Sequence, residues 1–418
     1  MASARLAAAL PGRALRRAPG ARGPTAGARA GAPWPRLAPQ GGGGSGSGAA
    51  WPRRSYVTTG LKDMEEDATP LQVKYWVEGK PAVPLDSIKV DLSKYNTEKI
   101  FSVYGGEDGA TLLPDMDLAE TQRLRAHMED VFSRIGVVHL VNTGFTSTSQ
   151  FNAATKVLMP NHMDYTGGAN RRAPIEANVY DTGAPREADL QYHHEMAYVS
   201  TSCQWVAFGA IEATHNPIKG ATFISENIGA TNMLLCTTFG RKLVDKGMCY
   251  VRKLPDEKYF VDNDRDPSIV YNFWQTSTGC TDMWEAQEVM ERKGLEVEWQ
   301  NSAVFGRYMV TKYYVDTFEY DPFNDRNTLF ASVADDYAWF DSWPGVQKLP
   351  HWERPLKLTF GDGEVINREQ KQLWVDCYDT HGLPILWSKG DLAIICNYRT
   401  AHGRPRRRSL AGTGASWA

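Results

Sequence analysis

Apolar residues recur at helical spacing after position 117, and polar residues fill the positions between them. The apolar set is Leu118, Leu124, Met128, Val131 and Ile135. Asp117, with Glu120 three residues later, has the pattern of a capping box, and Gly136 has the pattern of a helix end. The periodicity therefore predicts a helix from Asp117 to Gly136.

Shorter apolar runs on either side of a helical stretch predict strands. These runs are 137–141, 192–198, 220–224 and 391–397, and strands are expected again from about Met309. Between Gly229 and Gly294 the spacing is helical, with one helix ending at Gly247 and another capped by Thr281. Strands at both ends with helices between them predict a mainly β fold with helical insertions, a jelly roll forming one domain.

Two histidines and one glutamate in this pattern have the composition of a metal site. The run 192–198 contains His193, His194 and Glu195, and His402 lies near the end of the chain. If this run is a strand, alternate residues share a face, so His193 and Glu195 point together and His194 points away. Two imidazoles and one carboxylate on one face of an iron leave its other positions free for a co-substrate and oxygen.

The first 56 residues differ in composition from the rest of the chain. They contain nine arginines and no acidic residue, and the first acid is Asp63. An arginine-rich, acid-free leader is typical of mitochondrial or plastid transit peptides, with a processing point expected near Arg54. The alternative is a low-complexity extension that carries no address, in a cytoplasmic protein. Either way, the sequence predicts that residues 1–56 are disordered.

Charge and cysteine usage narrow the class of partner. Without the nine leader arginines, 37 basic residues remain against 49 acidic ones, a formal charge of −12. Such a body does not favour nucleic acid or an anionic membrane surface. The six cysteines are scattered without a CxxC pair, which indicates free thiols in a reducing compartment.

The metal-site residues and their neighbours together resemble the TauD/TfdA family of Fe(II)/2-oxoglutarate-dependent dioxygenases, a group that includes clavaminate synthase. The pattern is His193-x-Glu195, then Thr222 after 26 intervening residues, then His402 after 179 more. The segments 361–363, 387–391 and 397–404 also look like family segments. The resemblance covers residues 115–408 and is weaker in the middle. It leaves 57–114 as an N-terminal extension, about 229–300 as a helical insert and 409–418 as a tail.

The resemblance implies a double-stranded β-helix in which His193, Glu195 and His402 hold Fe(II). Thr222 would bind the carboxylate of the co-substrate 2-oxoglutarate. The family also places an arginine 11 to 14 residues after the distal histidine, but here that window reads Thr-Gly-Ala-Ser. Arg407 or Arg408, which lie nearer, would then pair with the distal carboxylate of 2-oxoglutarate. The other interpretation of this basic run is a solvated tail.

The function implied is the oxidation, expected to be a hydroxylation, of a small organic substrate with O2, releasing succinate and CO2. Glu195 stands where related halogenases have alanine or glycine, which argues against halogenation. One alternative is a catalytically impaired jelly-roll binding protein of the same family. A zinc hydrolase is a further alternative, disfavoured because no HExxH motif is present. The sequence does not select a substrate.

Overall fold

The protein is represented by a computed structural model. The structure describes residues 5–9, 74–77, 81–105, 111–163, 174–176, 179–181, 189–199, 202–321, 323–332 and 338–404. Arg407 and Arg408, the predicted partners of 2-oxoglutarate, lie outside the described residues, as does most of the predicted leader.

Nineteen strands are present in the described ranges. In chain order, β1 to β10 are Arg5–Ala9, Lys89–Asp91, Val103–Gly105, Thr111–Leu113, Val137–Val141, Pro174–Glu176, Val179–Asp181, Leu190–His193, Trp205–Ala210 and Thr222–Glu226. Strands β11 to β19 are Met248–Pro255, Glu296–Ser302, Gly306–Val315, Phe318–Asp321, Arg326–Leu329, Leu356–Phe360, Gly382–Ile385, Leu392–Cys396 and Thr400–Arg404.

Eleven α-helices, α1 to α11, lie between these strands in the part of the chain that the structure describes. They are Thr97–Ile100, Ala119–Ile135, Thr148–Lys156, Pro217–Gly220, Asn227–Leu235, Thr238–Lys246, Glu257–Asp262, Trp274–Thr278, Met283–Arg292, Ala338–Ser342 and Arg368–Thr380. Single 3-10 turns are at Leu85–Ile88, Leu92–Lys94, Pro267–Ile269, Val346–Lys348 and His351–Glu353. None of the helices in these ranges combines the length and apolarity of a membrane span.

Three sheets of four or more strands organise the fold. A seven-stranded sheet has the order β2-β5-β18-β9-β1-β7-β6, and a four-stranded sheet has the order β17-β10-β19-β8. A third sheet, β12-β13-β11-β16, is built from the middle of the chain. The first two sheets meet where the Phe208 ring of β9 lies 5.0 Å from the His402 ring of β19. This mixture of sheets and inserted helices agrees with the predicted mainly β class.

The predicted helix after position 117 is present, but its start differs from the prediction. Helix α2 begins after Leu118, which makes no side-chain cap bond, and Asp117 instead donates its backbone N–H to the Asp115 carboxylate. The end is as predicted. Gly136 adopts φ 78°, a left-handed conformation that glycine enters without steric cost, and its N–H bonds to the carbonyl of Phe132.

The middle of the chain is less helical than its spacing predicts. The single helix expected to end at Gly247 is two helices, α5 and α6, separated at Cys236 and Thr237. The next strand, β11, is eight residues long and was not predicted. Most of its residues are buried, and it pairs with both β13 and β16. Cross-strand partners far along the chain therefore determine its conformation. Asp282, one residue after the expected Thr281, caps α9.

Strand β1 comes from the segment that the sequence assigns to a disordered leader. Arg5–Ala9 lies between β9 and β7 and pairs antiparallel with both. The structure therefore departs from the expected disorder for these five residues. Backbone pairing requires no particular side-chain pattern, so a short run rich in alanine gives little strand signal in the sequence.

Candidate metal centre

His193, Glu195 and His402 converge at one point between the two main sheets, as the sequence predicts. One ligand atom from each side chain can be chosen so that all three lie within 4.8 Å of one another. His402 Nε2 is 3.9 Å from Glu195 Oε2, and the two imidazole centroids are 4.3 Å apart. All three residues are buried. They form the one such group of three or more potential ligands within the described ranges.

The two histidines are brought together by strand pairing. His402 of β19 pairs with His193 of β8 on one side and with Ile224 of β10 on the other. Residues directly opposite on antiparallel strands place their side chains on the same face. A separation of 209 positions in the sequence is therefore closed by a single cross-strand pair.

The strand that carries His193 ends earlier than predicted. Strand β8 stops at His193, and residues 195–198 form a turn in which Met196 adopts φ 60°. Strand alternation therefore does not explain why Glu195 lies beside His193. The turn brings the Glu195 carboxylate back toward His402. A continued strand would instead carry Glu195 further along the strand axis, because each residue of a strand advances the chain by about 3.3 Å.

Asn397, which begins the family-like segment 397–404 but to which the sequence assigned no role, holds this turn. Its Oδ1 accepts from the Glu195 backbone N–H at 2.7 Å, and its Nδ2 donates to the Glu195 carbonyl at 2.9 Å. Nδ2 also donates to the Cys203 carbonyl at 2.9 Å. Asn397 has no exposed surface. An asparagine directly after an apolar run and five positions before His402 is the sequence signal that could have identified it.

Hydrogen bonding fixes which nitrogen of His193 faces the centre. Its Nδ1 lies 2.9 Å from the Gln191 carbonyl. A carbonyl can only accept, so Nδ1 carries the proton and Nε2 keeps its lone pair. A hydrogen bond from the ring nitrogen that does not bind the metal is the usual way in which a protein orients a metal-ligating imidazole.

His194 points away from the centre, as predicted. Its Nδ1 donates to the Ala331 carbonyl at 3.0 Å, and its Nε2 accepts from Nδ2 of Asn227 at 2.8 Å. Burial lowers the pKa of His194 to about 4, although the hydrogen bonds to Ala331 and Asn227 oppose that shift. His194 is therefore neutral, and it connects the turn to the segment at 331 and to the start of α5.

Thr222, the predicted contact for 2-oxoglutarate, is buried at the start of β10. Its Oγ1 accepts a hydrogen bond from Nε1 of Trp387 at 3.0 Å. The Trp387 ring in turn packs edge-on against His139, whose Nε2 lies 3.0 Å from Asp391. Trp387, the first residue of the family-like segment 387–391, thus holds the Thr222 hydroxyl in a defined orientation.

The donor set fits a divalent metal ion. Ligand atoms that lie about 2 Å from one ion are necessarily within about 4 Å of each other, close to the separations here. Three protein ligands of the two-histidine, one-carboxylate type leave coordination positions open, which is characteristic of non-haem Fe(II) oxygenases. The site is also enclosed, with Phe208 against His402 on the side of the seven-stranded sheet.

The arginine three residues before His402 has a structural role. Arg399 donates to the backbone carbonyls of Phe132, Ser133 and Arg134, at distances between 2.9 and 3.3 Å. These are carbonyls of the last turn of α2, where the helix dipole favours a cation. Arg399 thereby attaches α2 to the segment that leads into β19.

No protein-family profile matches the chain. A clavaminate synthase-like protein of Arabidopsis thaliana is 22% identical over 331 residues, covering 76% of this chain and 94% of that protein.

Solved structures that align with this chain are distant from it. AAD-2 in complex with Mn(II) and N-oxalylglycine aligns over 70% of this chain and 83% of its own, with 12% identity and a TM-score of 0.34. PvcB from Pseudomonas aeruginosa aligns over 71% and 79%, with 12% identity and a TM-score of 0.36. TM-scores this low carry no argument about this chain. The similarity to the clavaminate synthase-like protein, which extends over most of both sequences, confirms the chain's resemblance to the TauD/TfdA family.

Proposed function

We propose that the protein is an Fe(II)/2-oxoglutarate-dependent dioxygenase that oxidises a small organic substrate and releases succinate and CO2. The observation that carries this proposal is the buried convergence of His193, Glu195 and His402 in a geometry suited to one ion. The similarity to a clavaminate synthase-like protein supports the same reaction class. In detail, the two sheets that meet at His402 are proposed to be the halves of a double-stranded β-helix.

The chain's own residues would act by holding, orienting and enclosing. Bound Fe(II) supplies the redox chemistry that activates O2 and drives decarboxylation of 2-oxoglutarate. His193 Nε2, Glu195 and His402 would hold the ion, and the Gln191 carbonyl would keep His193 in the required tautomer. Asn397 would keep the Glu195 turn closed, so that the carboxylate does not leave the ion.

Thr222 would contact a carboxylate of 2-oxoglutarate. Its hydroxyl oxygen accepts from Trp387, and a threonine hydroxyl also carries one hydrogen that it can donate to an acceptor such as a carboxylate oxygen. Arg407 or Arg408 stays the proposed partner for the other carboxylate. Neither residue lies in the part of the chain that the structure describes.

Succinate release tests the proposed reaction. Purified full-length protein with Fe(II), O2 and 2-oxoglutarate, incubated with a panel of small metabolites, should form succinate faster with one of them. Glu195→Ala should abolish this, whereas Glu257→Ala, a change on the distant helix α7, should not. If wild type binds Fe(II) but forms no succinate, the proposed dioxygenase activity is contradicted, and a catalytically impaired binding protein is favoured.

The leader composition supports a further proposal, that residues 1–56 direct the protein to a mitochondrion or plastid. Nine arginines without an acid support it. Residues 1–60 fused to a fluorescent protein should enter an organelle and be shortened. A diffuse cytosolic signal at full length would contradict the proposal.

A further inference from the structure

A basic cavity lies beside the start of helix α11. Its volume is about 350 Å³, and residues of β16, α10, α11 and the 3-10 turn His351–Glu353 line it. Asp341 is the one acid among the described residues that line it, against four cations, which are Arg354, Lys357, Arg368 and Lys371. Four positive charges and one negative charge give the lining a formal charge of +3, in a chain that carries −12 after its leader.

Asp341 does not neutralise this cluster, because two arginines share its carboxylate. Nη2 of Arg354 donates to one oxygen at 2.8 Å, and Nη2 of Arg368 donates to the other at 3.1 Å. One negative charge between two guanidinium groups leaves one positive charge, and the two lysines add to it. The cavity therefore attracts anions, in contrast to the acidic body of the protein.

Arg354 has hydrogen-bond donors that the described residues do not satisfy. Only 5% of Arg354 is exposed, and its Nε and Nη1 have no hydrogen-bond partner in the described part of the chain. A guanidinium is always charged, and buried polar groups are normally hydrogen-bonded. An anion bound in the cavity would provide the missing acceptors.

The cavity has the size and the walls of a site for a small organic molecule. Cavities that hold such ligands have volumes of roughly 300–1,000 Å³. Trp352 lines the cavity and is 72% exposed, so its indole offers a flat apolar surface for an organic group. Asn367, the N-cap of the 13-residue helix α11, also lines the cavity, and the dipole at a helix start favours an anion.

This cavity is separate from the metal centre. Successive residues of a strand point to opposite faces, so Tyr192 of β8 points away from the face that carries His193. The Tyr192 ring packs 5.5 Å from the ring of Tyr378, which places α11 on the face of β8 opposite the metal ligands. Lys371 lies seven residues before Tyr378, about 10 Å further along α11. None of the three metal ligands lines the cavity.

We propose that the basic cavity binds a small phosphorylated metabolite, with its phosphate against Arg354 and Lys371 and its organic part against Trp352. A phosphate monoester carries about two negative charges at pH 7, which suits a lining of charge +3. Arginine matches phosphate oxygens with two parallel N–H groups, and lysine adds a point charge. The proposal requires neither iron nor 2-oxoglutarate, so it does not depend on the proposed reaction.

Titration calorimetry of the full-length protein in phosphate-free buffer at constant ionic strength tests the proposal. The probes are adenosine monophosphate, inorganic phosphate and adenosine. Adenosine monophosphate should bind once per chain, inorganic phosphate should bind more weakly and compete with it, and adenosine should not bind. Equal binding of adenosine and its monophosphate, absence of competition by phosphate, or no binding of either anion would overturn the proposal.

Substitutions of the lining arginines should weaken the binding of adenosine monophosphate. Arg354→Met should weaken it about ten- to a hundredfold, and Arg354→Lys less, since lysine keeps the charge without the planar fork. Arg368→Met, at an exposed position, should weaken it about two- to fivefold. The matched control is Arg292→Met, which removes an exposed arginine paired with Glu288 on α9 and should leave the affinity unchanged.

Two further variants distinguish this site from the metal centre and from a structural role of Arg354. His402→Ala should bind adenosine monophosphate as wild type does; loss of binding would place the anion at the metal centre and overturn the proposal. If Arg354→Met does not fold, Lys357→Met combined with Arg368→Met must weaken binding about tenfold or more. Unchanged affinity in that double variant would overturn the proposal as well.

Discussion

At the scale of single residues, the centre depends on a few buried polar groups that restrain the metal ligands. His193 is oriented by a carbonyl two residues earlier, and Glu195 is held by the amide of Asn397. His194 is neutral and packs behind them, with its pKa lowered to about 4 chiefly by burial. The ligands themselves therefore need little reorganisation when an ion binds.

Asn397→Ala should weaken iron binding about ten- to a hundredfold, since outer residues that orient ligands typically have that effect. The variant loses three hydrogen bonds, two of them to the backbone of Glu195. Asn367→Ala is the matched control: it removes the cap of α11 and costs about 1 kcal/mol of stability, with no change in iron affinity. Equal iron affinity in wild type and Asn397→Ala, by equilibrium dialysis, would refute the role of Asn397.

Cysteine reactivity provides a second test at this scale. Cys236 is exposed, whereas the other five cysteines are buried and all six are free thiols. Burial raises the pKa values of Cys249, Cys377 and Cys396 to about 12, so the reactive thiolate form is scarce. A short exposure of the native protein to iodoacetamide should label Cys236 alone, as read by mass spectrometry of peptides. Rapid labelling of Cys377 or Cys396 would contradict the described packing.

At the scale of elements, the spacing of apolar residues predicted those helices and strands that depend on contacts within one segment. The end of α2 at Gly136 and the strand at 137–141 could be anticipated from local spacing, and the convergence of His193 with His402 from the family-like motif. The turn at Glu195 could not, because Asn397, 202 positions away, holds it. Strand β11 was missed for the same reason, since its partners β13 and β16 lie far along the chain. Asp117 is not the cap, because helix α2 begins one residue later, after Leu118.

Gly136→Ala should destabilise the protein more than Gly294→Ala does. Both glycines have positive φ, which costs a residue with a Cβ about 1–2 kcal/mol. A Cβ at 136 would also lie 2.9 Å from Cβ of Arg399, whereas one at 294 would meet nothing within 4 Å. Urea unfolding should therefore give a loss of about 1 kcal/mol for Gly294→Ala and about 3 kcal/mol for Gly136→Ala. Equal losses would indicate that the contact with Arg399 has no energetic consequence.

At the scale of the whole molecule, the N-terminal segment is either a strand of the folded protein or part of a leader that is removed. The structure pairs Arg5–Ala9 with both β9 and β7 in the seven-stranded sheet. The leader proposal instead removes this segment on import, because processing near Arg54 lies after it. Strand β9 also carries Phe208, which contacts His402, so β1 is next to a wall of the centre.

Ala7→Pro should distinguish these two roles. Proline in a central strand removes a backbone donor and costs about 3 kcal/mol, so the structure predicts a lower unfolding midpoint for this variant than for wild type. A protein comprising residues 57–418 should show a lower midpoint as well. Identical midpoints for all three proteins would mean that β1 contributes nothing to stability, and the segment would then be available as a removable leader.

Iron content after anaerobic loading and dialysis tests whether His193, Glu195 and His402 hold one Fe(II) ion. Wild type should retain about one iron per chain, and His193→Ala, Glu195→Ala and His402→Ala should each lose most of it. His139→Ala, which removes a buried histidine bonded to Asp391, should retain its iron if it folds. Iron content in His193→Ala or His402→Ala equal to that of wild type would contradict the assignment of these residues as metal ligands.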